Sequence, residues 1–146
     1  MNAPMEPGVV RRVKSARVTE PATATWSNCL VIGDEIVMSG MTAHPASREN
    51  KLGAYEQTLV VLGKVRDLVE AAGGSVGSIY KLVIYVKDIG DKDEVGRARR
   101  DFFRAPYPCS TLVEVSGLVF PELVVEIDAF ARLGVDLQRS IQEVVS

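Results

Sequence analysis

Residues 107–115, with the sequence Tyr-Pro-Cys-Ser-Thr-Leu-Val-Glu-Val, are the stretch from which the fold and a candidate site follow most directly. Pro108 fixes its own φ and lacks an N–H donor, so the stretch is expected to begin as a loop. From Thr111 onward the pattern predicts a strand whose side chains alternate, with Thr111 and Leu112 on opposite faces. A strand that starts from a proline turn is well placed to present side chains and backbone N–H groups to a ligand.

A second strand is predicted at residues 123–132, and it carries two carboxylates in an otherwise apolar run. Glu126 and Asp128 are two residues apart, so they lie on the same face of that strand. Burying a carboxylate costs free energy unless it is hydrogen-bonded or lies at a cleft. We therefore expect Glu126 to belong to a functional site. The alternative is an ion pair at a subunit interface, of which Asp128 is a candidate member.

The rest of the chain supplies the elements that surround these two strands. The predicted order is an edge strand at 10–18, a hairpin at 29–32 and 35–39, a long helix at 55–72, a strand at 78–87, a second helix at 92–104 and a tail helix at 135–145. The central order β-β-α-β-α-β-β predicts an α+β fold, in which two helices can cover only one face of the sheet. Because the other face also carries apolar residues, we expect the chain to form oligomers.

The length and charge of the chain set limits on its organisation and partners. A chain of 146 residues fits one domain, which we place at 21–134, between an N-terminal extension at 1–20 and a tail at 135–146. The net charge of −2 gives no reason to expect a nucleic-acid partner, since phosphate binders usually carry a basic excess.

The sequence also argues against several kinds of site. Two cysteines, Cys29 and Cys109, are too few for a disulfide framework or a zinc site. One histidine, His44, can build neither a histidine-based metal site nor a Ser-His-Asp triad. We therefore expect no metal and no cofactor. Because no run approaches ~18 apolar residues and no signal-type segment is present, we expect a cytoplasmic protein with no membrane partner.

Several blocks of sequence, in this order and spacing, resemble a known family, the reactive-intermediate deaminases or Rid (YjgF-type) proteins. The blocks are residues 37–40, 56–58, 68–74, 81–88, 101–103, Pro108, 113–115 and 125–131. The resemblance implies a homotrimer of a chorismate-mutase-like fold, a mixed sheet with two helices on one face, and sites in clefts between subunits. It also implies hydrolysis of imine and enamine intermediates, such as 2-aminoacrylate, to keto acids and ammonia.

The resemblance implies roles for individual residues as well. The family's glutamate on the last strand, which orients or protonates water, falls on Glu126. The small residue that ends the hairpin falls on Ser39, beside Gly40, which permits close approach of the backbone. The aromatic residue that lines the site falls on Trp26. These positions are expected to bind a small-molecule ligand.

One family feature is missing from this chain. The family binds the substrate carboxylate through the arginine of a Pro-Ala-Arg-Ser turn, as a bidentate fork. Here Pro108 falls on the proline, Cys109 on the alanine, Ser110 on the arginine and Thr111 on the serine. We therefore expect Ser110 to act with Glu126 as a catalytic pair, and Cys109 and Thr111 to help bind the substrate. Candidates for a replacement cation are Arg99, Arg100 and Arg104.

Two functions remain open from the sequence. The first is a divergent Rid-family hydrolase that deaminates a small imine, an enamine or a conjugated amino acid-type metabolite, with 2-aminoacrylate a poor substrate. The alternative is a trimer that binds small metabolites at the same clefts without turnover. A ribonuclease is disfavoured by the acidic charge balance and by the absence of a suitable general-base histidine. Covalent catalysis by Cys109 is disfavoured because no base lies near it in the sequence.

Overall fold

The computed structural model describes residues 8–146, within which it has six strands, four α-helices and two 3₁₀ turns. The strands are β1 (Val10–Val13), β2 (Cys29–Ile32), β3 (Glu35–Met38), β4 (Ile79–Val86), β5 (Cys109–Glu114) and β6 (Val125–Arg132). The helices are α1 (Ala46–Glu49), α2 (Ala54–Ala71), α3 (Lys92–Phe102) and α4 (Leu137–Ser140). The 3₁₀ turns span Val76–Ser78 and Ile89–Asp91.

The six strands form one mixed sheet in the order β1-β2-β3-β6-β4-β5. Strands β4 and β5 are parallel because α3 makes the crossover between them, and every other neighbouring pair is antiparallel. Strands β2 and β3 form a tight hairpin, in which Gly33 adopts a φ of 64° that glycine tolerates without strain. This order places β6, which carries Glu126, inside the sheet and places β5 at its edge.

The long helices α2 and α3 cover one face of the sheet. Val61, Val65 and Leu68 recur at helical spacing on α2 and are fully buried. On β4, Leu82 and Ile84 meet them in the same core, whereas Val83, which lies between these two, is only half-buried. The predicted α+β class, the order of the elements and the mixed sheet with two helices on one face are confirmed.

The two ends of the chain differ from their predicted structure. Strand β1 ends at Val13, so it is shorter than the predicted strand at 10–18, but it pairs with β2. Part of the predicted extension at 1–20 therefore belongs to the sheet, while residues 1–7 lie outside the described part of the chain. The predicted tail helix at 135–145 was wrong beyond Ser140, because Ile141 is extended and exposed and has no core to pack against. Helix α1 lies between the hairpin and the long helix, where the sequence had indicated no helix.

Candidate functional site

Glu126 and Asp128 lie on the open face of the sheet, opposite the helices. Glu126 pairs with Tyr85 and Asp128 with Val83, so all four side chains share this face. The Tyr85 hydroxyl donates a hydrogen bond to Asp128 Oδ2 at 2.9 Å. Within residues 8–146 no side chain or backbone N–H donates to the Glu126 carboxylate. Of the two carboxylates, Glu126 is therefore the one left to interact with a ligand or with water.

The surroundings of Glu126 favour its protonated form. Burial raises the pKa of the Glu126 carboxyl, and the negative charge of Asp128 raises it further. The hydrogen bond to Asp128 in turn raises the pKa of Tyr85, which keeps that hydroxyl a donor. A raised pKa moves a carboxyl group toward the range in which it serves as a general acid–base catalyst.

Gly40 brings the backbone against these two carboxylates. Reciprocal backbone hydrogen bonds of 2.9 and 3.0 Å between Met41 and Ile127 hold the chain beside β6. A Cβ at position 40 would lie 2.9 Å from Glu126 Oε2 and 3.0 Å from Asp128 Oδ1, so these carboxylate ends would have to shift. Glycine at position 40 therefore lets the backbone approach both carboxylates without displacing them.

Hydrogen bonds connect the other two predicted lining residues to this segment. The Ser39 N–H donates to the carbonyl of Asn28 at 3.0 Å, and the Ser39 hydroxyl donates to the carbonyl of Ser27 at 2.7 Å. The Trp26 indole donates to Asn28 Oδ1 at 3.1 Å and remains 49% exposed. Trp26 is thus held at the end of the hairpin that leads into Gly40. We call Ser39, Gly40, Glu126 and Asp128 the glutamate group.

Strand β5 distributes its predicted site residues over both faces. Cys109 pairs with Lys81 and Thr111 with Val83, so these two lie on the open face, as Glu126 does. Ser110 pairs with Leu82, which points into the helix-side core. Ser110 and Glu126 therefore lie on opposite faces of the sheet, and a single chain does not bring them together.

On the helix side, Ser110 contacts a cation. Arg99 Nη1 donates a hydrogen bond to Ser110 Oγ at 2.5 Å. Both line a cavity of about 260 Å³ between α3 and β5, together with Arg100, Leu82, Phe103 and Pro108. Burial lowers the pKa of Arg99, although an arginine stays protonated. We call Arg99, Arg100 and Ser110 the arginine group. Of the three candidate replacement cations, Arg104 does not line this cavity.

Sequence reasoning missed two of these features. The Tyr85–Asp128 hydrogen bond depends on the register of β4 against β6, which only long-range pairing defines. The sequence indicated part of the contact of Arg99 with Ser110, because the spacing of Gly96 and Arg99 places them on one face of α3. Without the position of β5, that spacing could not show that the face borders Ser110.

Other groups with potential chemistry do not contribute to the site. Cys29 is fully buried in the core, and burial raises the pKa of its thiol to about 11, so it is a packed, unreactive group. Among residues 8–146 no three His, Cys, Asp or Glu side chains are arranged to hold a metal ion. In the same part of the chain, no helix combines the length and apolar character that crossing a membrane requires.

Comparisons with known proteins agree with this architecture. The 2-iminobutanoate/2-iminopropanoate deaminase of Escherichia coli is 34% identical over 104 residues, which cover 68% of this chain and 80% of the relative. A crystal structure of a Pseudomonas aeruginosa protein of unknown function is 59% identical, with a TM-score of 0.86, covering 88% of this chain and 96% of that one. The structure of Escherichia coli TdcF with bound serine is 25% identical, with a TM-score of 0.74, covering 84% and 98%. Residues 17–133 match the family model described as Endoribonuclease L-PSP, and the chain therefore belongs to this family, also called the Rid or YjgF family.

Proposed function

We propose that the chain is a hydrolase that deaminates small imines, enamines or conjugated amino acid-type metabolites. The observation that carries this proposal is the Glu126 carboxyl, which has a raised pKa, no hydrogen-bond donor among residues 8–146 and a close backbone neighbour in Gly40. The similarity to an Escherichia coli deaminase of imino acids supports the same reaction class. That name belongs to the relative, and the atypical strand β5 favours a different substrate for this chain.

The reaction requires one water molecule and one group that moves protons. Water adds to the carbon of the C=N bond, which forms a C–O bond and moves the π electrons to nitrogen. Glu126 accepts the proton that the water loses and returns it to the nitrogen. The hydroxyl proton of the resulting carbinolamine then moves to the nitrogen, again through Glu126, and the C–N bond breaks as the carbonyl group forms and ammonia leaves. The raised pKa of Glu126 suits both proton transfers.

Because Glu126 and Ser110 lie on opposite faces of the sheet, we infer that the site is built from two subunits of a homotrimer. On the open face, Val37 and Val113 are 38% and 41% exposed, and covering them with another copy would remove apolar surface from water. In this arrangement Trp26 and the glutamate group come from one subunit, and Cys109, Ser110 and Thr111 come from its neighbour. Sedimentation or light scattering should show a stable trimer, and a monomer at micromolar concentration would contradict this assembly.

The activity can be tested by measuring ammonia release from imines that an amino-acid oxidase generates in situ. We expect the wild type to accelerate release and Glu126→Gln to lose that acceleration. Glu70→Gln is a suitable control, because Glu70 is exposed on α2 and lies outside the site. Wild-type protein that accelerates no imine of a broad panel would contradict the proposal. If it still bound the corresponding keto acids, the alternative function, binding without turnover, would be favoured.

A further inference from the structure

The guanidinium groups of Arg99 and Arg100 lie at one cavity and, unlike those of Arg97 and Arg132, have no carboxylate partner among residues 8–146. Arg97 pairs with Glu94 at 2.6 Å, and Arg132 forms an ion pair with Glu35. Among residues 8–146, neither Arg99 nor Arg100 forms an ion pair with an aspartate or glutamate. Two neighbouring cations without carboxylate partners therefore line one cavity.

The hydrogen bond to Ser110 orients Arg99, and among residues 8–146 most of its other donors have no partner. An arginine has five N–H donors in a planar fork, and the Ser110 hydroxyl accepts only one of them. Half-buried cationic groups usually find a counterion, because desolvation makes an unpaired charge costly. The remaining donors of Arg99 suit a carboxylate, which accepts two parallel hydrogen bonds from such a fork.

The rest of the cavity is apolar and has room for a hydrocarbon chain. Leu82, Phe103 and Pro108 supply the apolar walls. Gly96 adds no side chain, and a Cβ there would meet only Arg99 Nη2, at 3.4 Å. An arginine at position 110 would extend into this space, whereas the small Ser110 leaves it open. A cationic end next to apolar walls is the arrangement expected for a carboxylic acid with an aliphatic chain.

We propose that Arg99 binds the carboxylate of the substrate, and that the cavity between α3 and β5 accepts imino acids with a branched or extended aliphatic chain. This proposal rests on the hydrolase function proposed above and defines the substrate class of that site. Ser110 accepts a hydrogen bond from Arg99 and holds its guanidinium against β5. Arg100, at the same cavity, adds positive charge that favours an anionic ligand.

A matched pair of substrates isolates the role of the carboxylate. The imine that an amino-acid oxidase makes from leucine carries a carboxylate, whereas the imine that an amine oxidase makes from isoamylamine has the same aliphatic chain without it. Arg99→Gln should lower kcat/KM for the leucine imine by about 10–10²-fold, as expected for loss of a charge-assisted fork. It should leave the isoamylamine imine nearly unchanged. Arg104→Gln is the control, because Arg104 does not line the cavity.

Binding measurements separate failure of this proposal from failure of the hydrolase function. Calorimetry with 4-methyl-2-oxopentanoate, the keto acid derived from leucine, requires no turnover. Arg99→Gln should weaken its binding by about 10–10²-fold, Arg99→Lys should weaken it less because the charge remains, and Arg104→Gln should not weaken it. If this pattern appears in a protein that hydrolyses no imine, Arg99 still binds the anion and only the hydrolase function is wrong. Equal effects of Arg99→Gln and Arg104→Gln, or equal losses with both imines, would overturn the proposal.

Discussion

The glutamate group and the arginine group lie on opposite faces of one sheet. The first supplies carboxylates and no cation, and the second supplies cations and no carboxylate. The glutamate group places Glu126 and Asp128 two residues apart on β6, where burial and the charge of Asp128 raise the pKa of Glu126. The arginine group holds two cations that have no carboxylate partner among residues 8–146. The glutamate group is suited to proton transfer and the arginine group to binding an anion. Neither alone is a complete deaminase site, so the comparison favours a cleft between two copies of the chain.

The largest effect is expected from Glu126→Gln, which should separate chemistry from binding. Gln cannot exchange a proton, so kcat should fall by about 10²–10⁴-fold with every imine, whether or not it carries a carboxylate. Arg99→Gln, in contrast, should affect only carboxylate-bearing imines. Rates with the leucine and isoamylamine imines check this difference. A Glu126→Gln loss confined to the leucine imine would mean that both groups serve binding.

The next largest effect is expected from Gly40→Ala. Its Cβ would lie 2.9 Å from Glu126 Oε2, so the carboxylate must move. A displacement of about 1 Å in a catalytic group costs on the order of 10²-fold in rate, and we expect a loss of that order with little change in KM. Gly63→Ala on α2 is the control, since its nearest contact would be an ordinary 3.7 Å. That variant should keep its activity and gain about 0.5–1 kcal/mol in stability, because alanine favours a helix over glycine.

The sequence predicted more of the glutamate group than of the arginine group, and the reason is physical. Alternation along β6 places Glu126 and Asp128 on one face, and a glycine after the hairpin indicates close approach, so local patterns were sufficient there. Whether Ser110 faces the helices or the open side depends on how β5 pairs with β4. That pairing forms only when α3 packs against the sheet. A shift of one residue in the register would move every β5 side chain to the opposite face. The sequence therefore identified Ser110 as a candidate site residue, but it did not indicate on which face of the sheet Ser110 lies.

A third test uses Ser110→Arg to restore the arginine that the family places at this position. The new side chain would fill the cavity between α3 and β5, so activity on the leucine imine should fall by about tenfold. Activity on the small imine from alanine should rise by about tenfold, because a charge-assisted hydrogen bond is worth about 1.5–3 kcal/mol. Ser110→Ala is the control, since it removes the hydroxyl without filling the cavity. A wild type that already prefers the alanine imine to the leucine imine would contradict the proposed selection by chain length.

A fourth test concerns stability rather than rate. Because the folded pKa of Glu126 is raised above its unfolded value of about 4.3, the folded state binds this proton more tightly. The free energy of unfolding therefore decreases as pH rises from the unfolded pKa through the folded pKa, and the penalty persists at higher pH. Glu126→Gln should be more stable than the wild type at pH 7–8, and the difference should disappear as pH falls toward about 4. Denaturant titrations at several pH values check this, and a pH-independent difference would exclude the titration of Glu126 as its cause.

The smallest effect is expected from Tyr85→Phe, for which β4 contains a matched control. Tyr85 and Tyr80 both donate a 2.9 Å hydrogen bond to a carboxylate, Tyr85 to Asp128 and Tyr80 to Glu35. Either Phe variant should lose about 0.5–1.5 kcal/mol of stability, because each removes one hydrogen bond at a partly exposed position.

Only Tyr85→Phe should affect the reaction. Without its donor, the Asp128 carboxylate can turn within the narrow space beside Gly40, where it would compete with Glu126 for protons and water. We expect kcat to fall about threefold in Tyr85→Phe and to stay unchanged in Tyr80→Phe. Unfolding free energies and kcat measured side by side separate the two contributions. If both variants lost activity in proportion to their stability, Asp128 would have no role in positioning the proton-transfer group, and Glu126 would act without it.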